Sequence, residues 1–115
     1  MLEEHPNELL LFYNSKFDND RKIFAHAEGS FKYVRAFDVA LQPIKGTLLE
    51  EIAMRLNLPL SELLRESNAA EMPELGNDSD YIKVIQHNPD ILRTPIAISD
   101  TKAIIVESPG DLSKV

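Results

Sequence analysis

The patterned part of the chain opens with Leu9-Leu10-Leu11-Phe12-Tyr13, an almost unbroken apolar run bounded by Asn7-Glu8 and Asn14-Ser15. A short run of this kind predicts a strand covered on both faces, in the middle of a sheet. Asp18 or Asn19 then supplies an N-cap and Asp20 falls in the first helical turn. Ile23, Phe24 and Ala27 recur at helical spacing up to a stop at Gly29. Tyr33 to Val39 reads as a second strand, and Gln42-Pro43-Ile44-Lys45-Gly46 as a loop punctuated by Pro and Gly. Beyond Thr47, taken as an N-cap, Leu48, Leu49, Ile52, Ala53 and Leu56 form one apolar stripe, with Glu50, Glu51 and Arg55 off it. Asn57-Leu58-Pro59 ends that helix and opens another, with Pro59 in its first turn and Leu60, Leu63 and Leu64 on its buried face.

From Ser67 to Asp78 large apolar residues are few, and Asn68, Pro73, Gly76 and Asn77 mark a linker. Asp78 or Ser79 caps a helix carrying Tyr81, Ile82, Val84 and Ile85, which stops near Asn88-Pro89. Pro95 to Ile98 and Ala103 to Val106 are two strands joined tightly through Ser99-Asp100-Thr101-Lys102. Ser108-Pro109 opens a last short helix that buries Leu112. The early strand–helix–strand unit implies a parallel pair with a right-handed crossover, and the late hairpin implies antiparallel pairing. The periodicity therefore gives an α/β class with one mixed sheet. A length of 115 residues with 43% hydrophobic content suits a single domain over residues 1–115.

Composition narrows the chemistry. There is no cysteine, which removes disulfides, thiolate nucleophiles and zinc–thiolate sites together. Twelve Lys and Arg against nineteen Asp and Glu give a net charge of −7, and the cations are scattered singly, so no nucleic-acid partner is expected. The N-terminus has neither a basic segment nor an apolar stretch of signal length, and no run is long enough to cross a bilayer. A cytoplasmic protein without a membrane partner is the expectation. His5 is read as solvated, His26 as half-buried beside the Ile23-Phe24-Ala27 face, and His87 as lying in the last turn of its helix. Their spacing gives no metal-ligand pattern, and no cofactor is expected. Asp18 and Asp20 are explained as cap residues, and Glu50-Glu51 as a solvated helix face.

Three segments carry a family resemblance. Phe12-Tyr13-Asn14-Ser15-Lys16-Phe17-Asp18-Asn19-Asp20-Arg21 resembles the opening of the arsenate reductase/Spx family, where an aromatic-x-Asn-Pro-x-Cys stretch leads to an Arg on the first helix. Leu63-Leu64-Arg65 is similar to the Leu-Leu-Arg after that family's second helix. Asn88-Pro89-Asp90-Ile91-Leu92-Arg93-Thr94-Pro95-Ile96 is similar to its His-Pro-x-Leu-Leu-Arg-Arg-Pro-Ile, the most specific of the three matches. The spacing fits across nearly the whole chain. The resemblance implies a thioredoxin-like, four-stranded mixed sheet flanked by helices on both faces, with glutaredoxin-like kinship. It implies a cis proline at Thr94-Pro95, against the plainer reading of a proline that starts a strand.

The departures from the family pattern bear on function. Phe17 stands where the family has its nucleophilic cysteine, and Asp18 and Asp20 bring carboxylates to a helix N-terminus that would otherwise hold an oxyanion. Thr94 replaces the Arg before the proline, Glu107 stands at a basic position, and among the residues that would grip an arsenate Arg65 alone keeps its type. Phe17, Asp18, Arg21, Arg65, Thr94 and Pro95 thus mark a degenerate active site at which small-anion binding and arsenate reduction are not expected. Arg65 reads either as a pair for Asp18 or Asp20 across the old cleft, which is favoured, or as a surviving anion or partner contact. Phe17 reads either as filling the vacated pocket or as an exposed patch for a protein partner. The favoured function is a non-catalytic binding or regulatory module with a protein partner. The Spx branch, whose members contact RNA polymerase, provides the precedent. The alternative is a thiol-independent enzyme, or a protein binding glutathione or another small ligand in the old cleft.

Overall fold

The computed structural model describes residues 8–65, 78–100 and 102–115. Its elements are β1 (Glu8–Tyr13), α1 (Asp18–Ser30), β2 (Tyr33–Asp38), α2 (Gly46–Leu56), a 3₁₀ turn Leu60–Leu63, α3 (Asp78–His87), a 3₁₀ turn Pro89–Ile91, β3 (Ile96–Ile98), β4 (Ala103–Ile105) and a closing 3₁₀ segment Pro109–Lys114. The strands form one sheet in the order β2-β1-β3-β4. β1 runs parallel to β2 and antiparallel to β3, and β3 runs antiparallel to β4. Of the expected linker from Ser67 to Asp78, residues 67–77 lie outside the described residues, as do His5 and Thr101, and Asp78 is the first residue of α3.

The apolar run of β1 has its reason in this order. Because β1 is an inner strand, its alternate side chains enter two different cores. Leu9 and Leu11 pack with Ile23 and Ala27 of α1, Ala97, Val106 and Leu112. Leu10 and Phe12 enter the larger core on the opposite face, with Leu49 and Ile52 of α2, Ile85 of α3, and Leu63 and Leu92 from the turns. The sheet therefore carries helices on both faces in the thioredoxin-like manner. Ile96, Ala97 and Ile98 of β3 are buried throughout for the same reason.

Local details differ from the pattern-based expectation. α1 is capped by Phe17 in extended conformation without a side-chain bond, so Asp18 is its first residue and not the cap. Gly29 does not stop α1, which continues to Ser30 and ends when Phe31 turns directly into extended backbone, its N–H still reaching Ala27 O. α2 begins at Gly46 behind Lys45, leaving Thr47 inside the first turn. A Cβ at Gly46 would sit 3.1 Å from Ile82 Cγ2, so a larger residue there would press on the Ile82 side chain where α3 packs on the start of α2. α2 ends through Asn57 at φ 58° and ψ 42°, a left-handed cap of the kind Asn tolerates. Pro59 precedes one 3₁₀ turn instead of lying in the first turn of a helix. Glu51 is buried at 7% exposure, because α2 packs against β4, α3 and the Leu60–Leu63 turn together and more than its apolar stripe is covered. His26 is exposed, since α1 turns only Ile23 and Ala27 fully inward around it.

Candidate functional site

The loop between β1 and α1 is built around Asn14, whose side chain is fully buried. Its backbone N–H donates to Asp20 Oδ2 at 2.9 Å. Its side-chain Oδ1 accepts from the Lys16 N–H at 3.0 Å, and its Nδ2 donates to Asp90 Oδ1 at 2.9 Å. The Phe17 N–H returns to Asn14 O at 3.1 Å, and the Ser15 N–H donates to Asp38 Oδ1 at 3.1 Å. Polar groups that the tight loop takes from water thus find partners within it and on α1, β2 and the Pro89–Ile91 turn. Asp20 is itself buried at 2% exposure and faces the loop, so its carboxylate serves as a structural acceptor.

Asp90 lies across from this loop in the Pro89–Ile91 turn. Its second oxygen meets Lys16 Nζ at 3.4 Å. The Asn14 amide hydrogen bond, with the Lys16 and Arg65 charges behind it, holds the Asp90 carboxyl below its ordinary value, against a smaller opposing effect of burial. Tyr13 titrates above its ordinary value, chiefly because it is partly buried and then because Asp38 and Glu28 are near.

The second half of the site comes from two chain segments that pair briefly. Leu64 and Leu92 form an isolated antiparallel bridge, with the Arg65 N–H on Ile91 O and the Arg93 N–H on Leu63 O, both at 2.7 Å. That bridge sets Arg65 beside Thr94 and the cis Thr94-Pro95 bond. Arg65 Nη2 donates to Thr94 Oγ1 at 2.8 Å and its Nε to Asp90 O at 3.1 Å. Its guanidinium carbon lies 4.4 Å from the centroid of the Phe17 ring.

The expected pairing of Arg65 with Asp18 or Asp20 is therefore not what forms. Asp18 faces outward and pairs with Arg21, whose Nη1 also donates to Ser15 O at 2.6 Å, while Asp20 is turned into the loop. Capping geometry decides this, because the first and third residues of α1 point to different sides of the helix end. Phe17 is half-exposed and covered by Arg65, so it is neither sunk in a pocket nor an open patch. The structure gathers Phe17, Arg65, Thr94 and Pro95, and leaves Asp18 and Arg21 on the outer side of α1.

Beside this cluster opens a cleft of about 610 Å³, lined among others by Asn19, Glu62, Arg65, Arg93, Thr94 and Glu107. Its lining thus holds two arginines and two glutamates, and Arg93 Nη1 is already on the backbone Glu62 O at 3.1 Å. Among the described residues there is no cluster of three or more His, Cys, Asp or Glu that could hold a metal ion. Among them also, no helix is long and apolar enough to cross a membrane. Sequence reasoning missed the roles of Asn14 and Asp90. The available signal was an Asn directly after a strand buried on both faces, a position where an unpaired amide would be costly.

No protein-family profile matches the chain, and no curated protein does. Solved structures do. The arsenate reductase of Vibrio cholerae superposes with a TM-score of 0.79 at 14% identity, covering 96% of this chain and 99% of that one. The chain carries the fold of the arsenate reductases. A Yersinia pestis protein described as a candidate arsenate reductase gives a TM-score of 0.78 at 18% identity over 93% and 99% of the two chains. A Brucella melitensis protein related to the arsenate reductases gives 0.66 at 13% identity over 93% and 92%. On this arsenate reductase fold, the α1 N-terminus carries Phe17 under Arg65, and the sequence contains no cysteine.

Proposed function

We propose that this chain is a one-domain, cytoplasmic, non-catalytic binding or regulatory module built on the arsenate reductase fold. One observation carries the reading. Arg65, the cation best placed to receive an oxyanion, has its guanidinium stacked on Phe17 and bonded to Thr94 Oγ1 and Asp90 O. An entering anion would have to displace these contacts, and it would find no thiol at position 17 to react with. Glu62 and Glu107 on the cleft wall further disfavour a small anion. The scaffold then serves by presenting surface to a protein partner. The cleft beside Arg93 keeps a second reading open, in which a small ligand such as glutathione occupies it without thiol chemistry.

An amide-resolved NMR titration with arsenate, phosphate and reduced glutathione tests this, run beside an arsenite-formation assay with glutathione. The expected result is no arsenite and no clustered shifts at millimolar ligand. Shifts clustered along the cleft wall, at Asn19, Glu62, Arg65, Arg93, Thr94 and Glu107, would favour the small-ligand reading. Arsenite formation would overturn both.

A further inference from the structure

β2 is an edge strand, with no strand beyond it among the described residues. The Val39 N–H donates to Tyr13 O at 2.8 Å while Tyr13 stands opposite Asp38, so the odd-numbered residues of β2 direct their backbone groups toward β1. By alternation the even-numbered residues, Val34, Ala36 and Asp38, direct theirs away from the sheet. Asp38 O is taken by the N–H groups of Leu41 and Gln42, each at 3.1 Å. The N–H and C=O of Val34 and Ala36 and the N–H of Asp38 remain aimed outward. Edge strands are commonly guarded by proline, bulges or free charges. β2 has no proline, and its central charge, Arg35, is held by Glu8 at 3.2 Å.

We infer that this edge is the seam of a homodimer, in which a second copy of the chain pairs antiparallel to β2 about a two-fold axis at Ala36. This register lets Ala36 exchange both hydrogen bonds with Ala36 of the second copy and lets each Asp38 N–H reach Val34 O across the seam. It sets Arg35 opposite Phe37. A shift that centred the axis on Arg35 would oppose like charges. The ends of the strand are also self-complementary. Lys32 and Tyr33 stand at its start, Asp38 and Leu41 at or just past its end. Antiparallel pairing brings Lys32 of one copy toward Asp38 of the other, and Tyr33 toward Leu41. Tyr33 and Leu41 are large apolar side chains left 55% and 78% exposed in the single chain. One symmetric partner covers both of them, twice over, as an isologous interface requires. A single strand edge buries less than the ~800 Å² per partner of a standard interface, so the dimer is weak and concentration-dependent.

Sedimentation equilibrium and ¹⁵N NMR from micromolar to millimolar protein test the seam. The expected result is reversible dimerisation, with concentration-dependent shifts at the Val34, Ala36 and Asp38 amides. Ala36→Pro removes an outward N–H for which no partner is found among the described residues, and Leu41→Lys places charge at the apolar contact without touching the core. Each is expected to weaken dimerisation about tenfold or more. If Ala36→Pro does not fold, Leu41→Lys decides alone. A monomer at millimolar concentration overturns the inference, as does a dimer that both variants leave unchanged.

Discussion

Asn14 is the side chain through which the β1–α1 loop, the Pro89–Ile91 turn and the Lys16 charge are joined, and replacing it by Ala isolates that role. The variant deletes the amide donor to Asp90 Oδ1 and the acceptor for the Lys16 N–H, at 2.9 and 3.0 Å, from a side chain with no solvent exposure. A hydrogen bond to a charged partner contributes about 1.5–3 kcal/mol and a neutral one about 1 kcal/mol. The Asp90 side chain is 38% exposed, so water replaces part of the first contribution. The expected loss is about 2 kcal/mol at neutral pH, read from urea denaturation with the slope unchanged. Its pH dependence is specific. The folded-state pKa of Asp90 lies below its ordinary value of 3.8, chiefly through Asn14, so the stabilisation is present above that value and is lost as pH falls through the folded one. In Asn14→Ala the Asp90 carboxyl titrates closer to 3.8, and the gap from wild type narrows in acid. Asn14→Asp separates charge from shape, because it sets two carboxylates together. It should be destabilised more than Asn14→Ala at neutral pH and regain stability on acidification. A loss for Asn14→Ala below about 0.5 kcal/mol, or an equal loss at neutral and acid pH, refutes the reasoning.

Two further substitutions probe the site and the frame around it. Arg65→Ala removes the guanidinium from Phe17, Thr94 Oγ1 and Asp90 O and is expected to lower stability by about 1–2 kcal/mol, with the Phe17 ring resonances shifting in NMR; an unmoved Phe17 ring would show that the stack is not formed in solution. Asn57→Ala is expected to cost about 1 kcal/mol while Asn57→Gly stays near wild type in thermal unfolding, since the α2 cap holds φ at 58°; equal effects of the two would argue against the left-handed cap.

The order of elements and the covered inner strand were legible in the sequence, because hydrophobic periodicity follows from backbone geometry and β1 is buried on both faces. The three motif segments pointed to the same fold and to the cis proline, and the absence of cysteine followed from composition alone. Helix ends were less legible. Phe17, Lys45 and Phe31 cap helices without a side-chain bond, and what fixes them is packing and backbone direction, as Ile82 against Gly46 illustrates. Pairing across the site was not legible at all. Arg65 could be drawn to Asp18 or Asp20 on charge alone. The choice rests on the Leu64–Leu92 bridge, which brings residues far apart in the chain into register, and on the loop that turns Asp20 inward to the Asn14 N–H. Sequence by itself determined the scaffold and removed thiol chemistry from it. Tertiary structure alone decided which charges meet, because hydrogen-bond partners are chosen within about 3 Å while periodicity and motif spacing place side chains no more finely than a helix turn or a strand face.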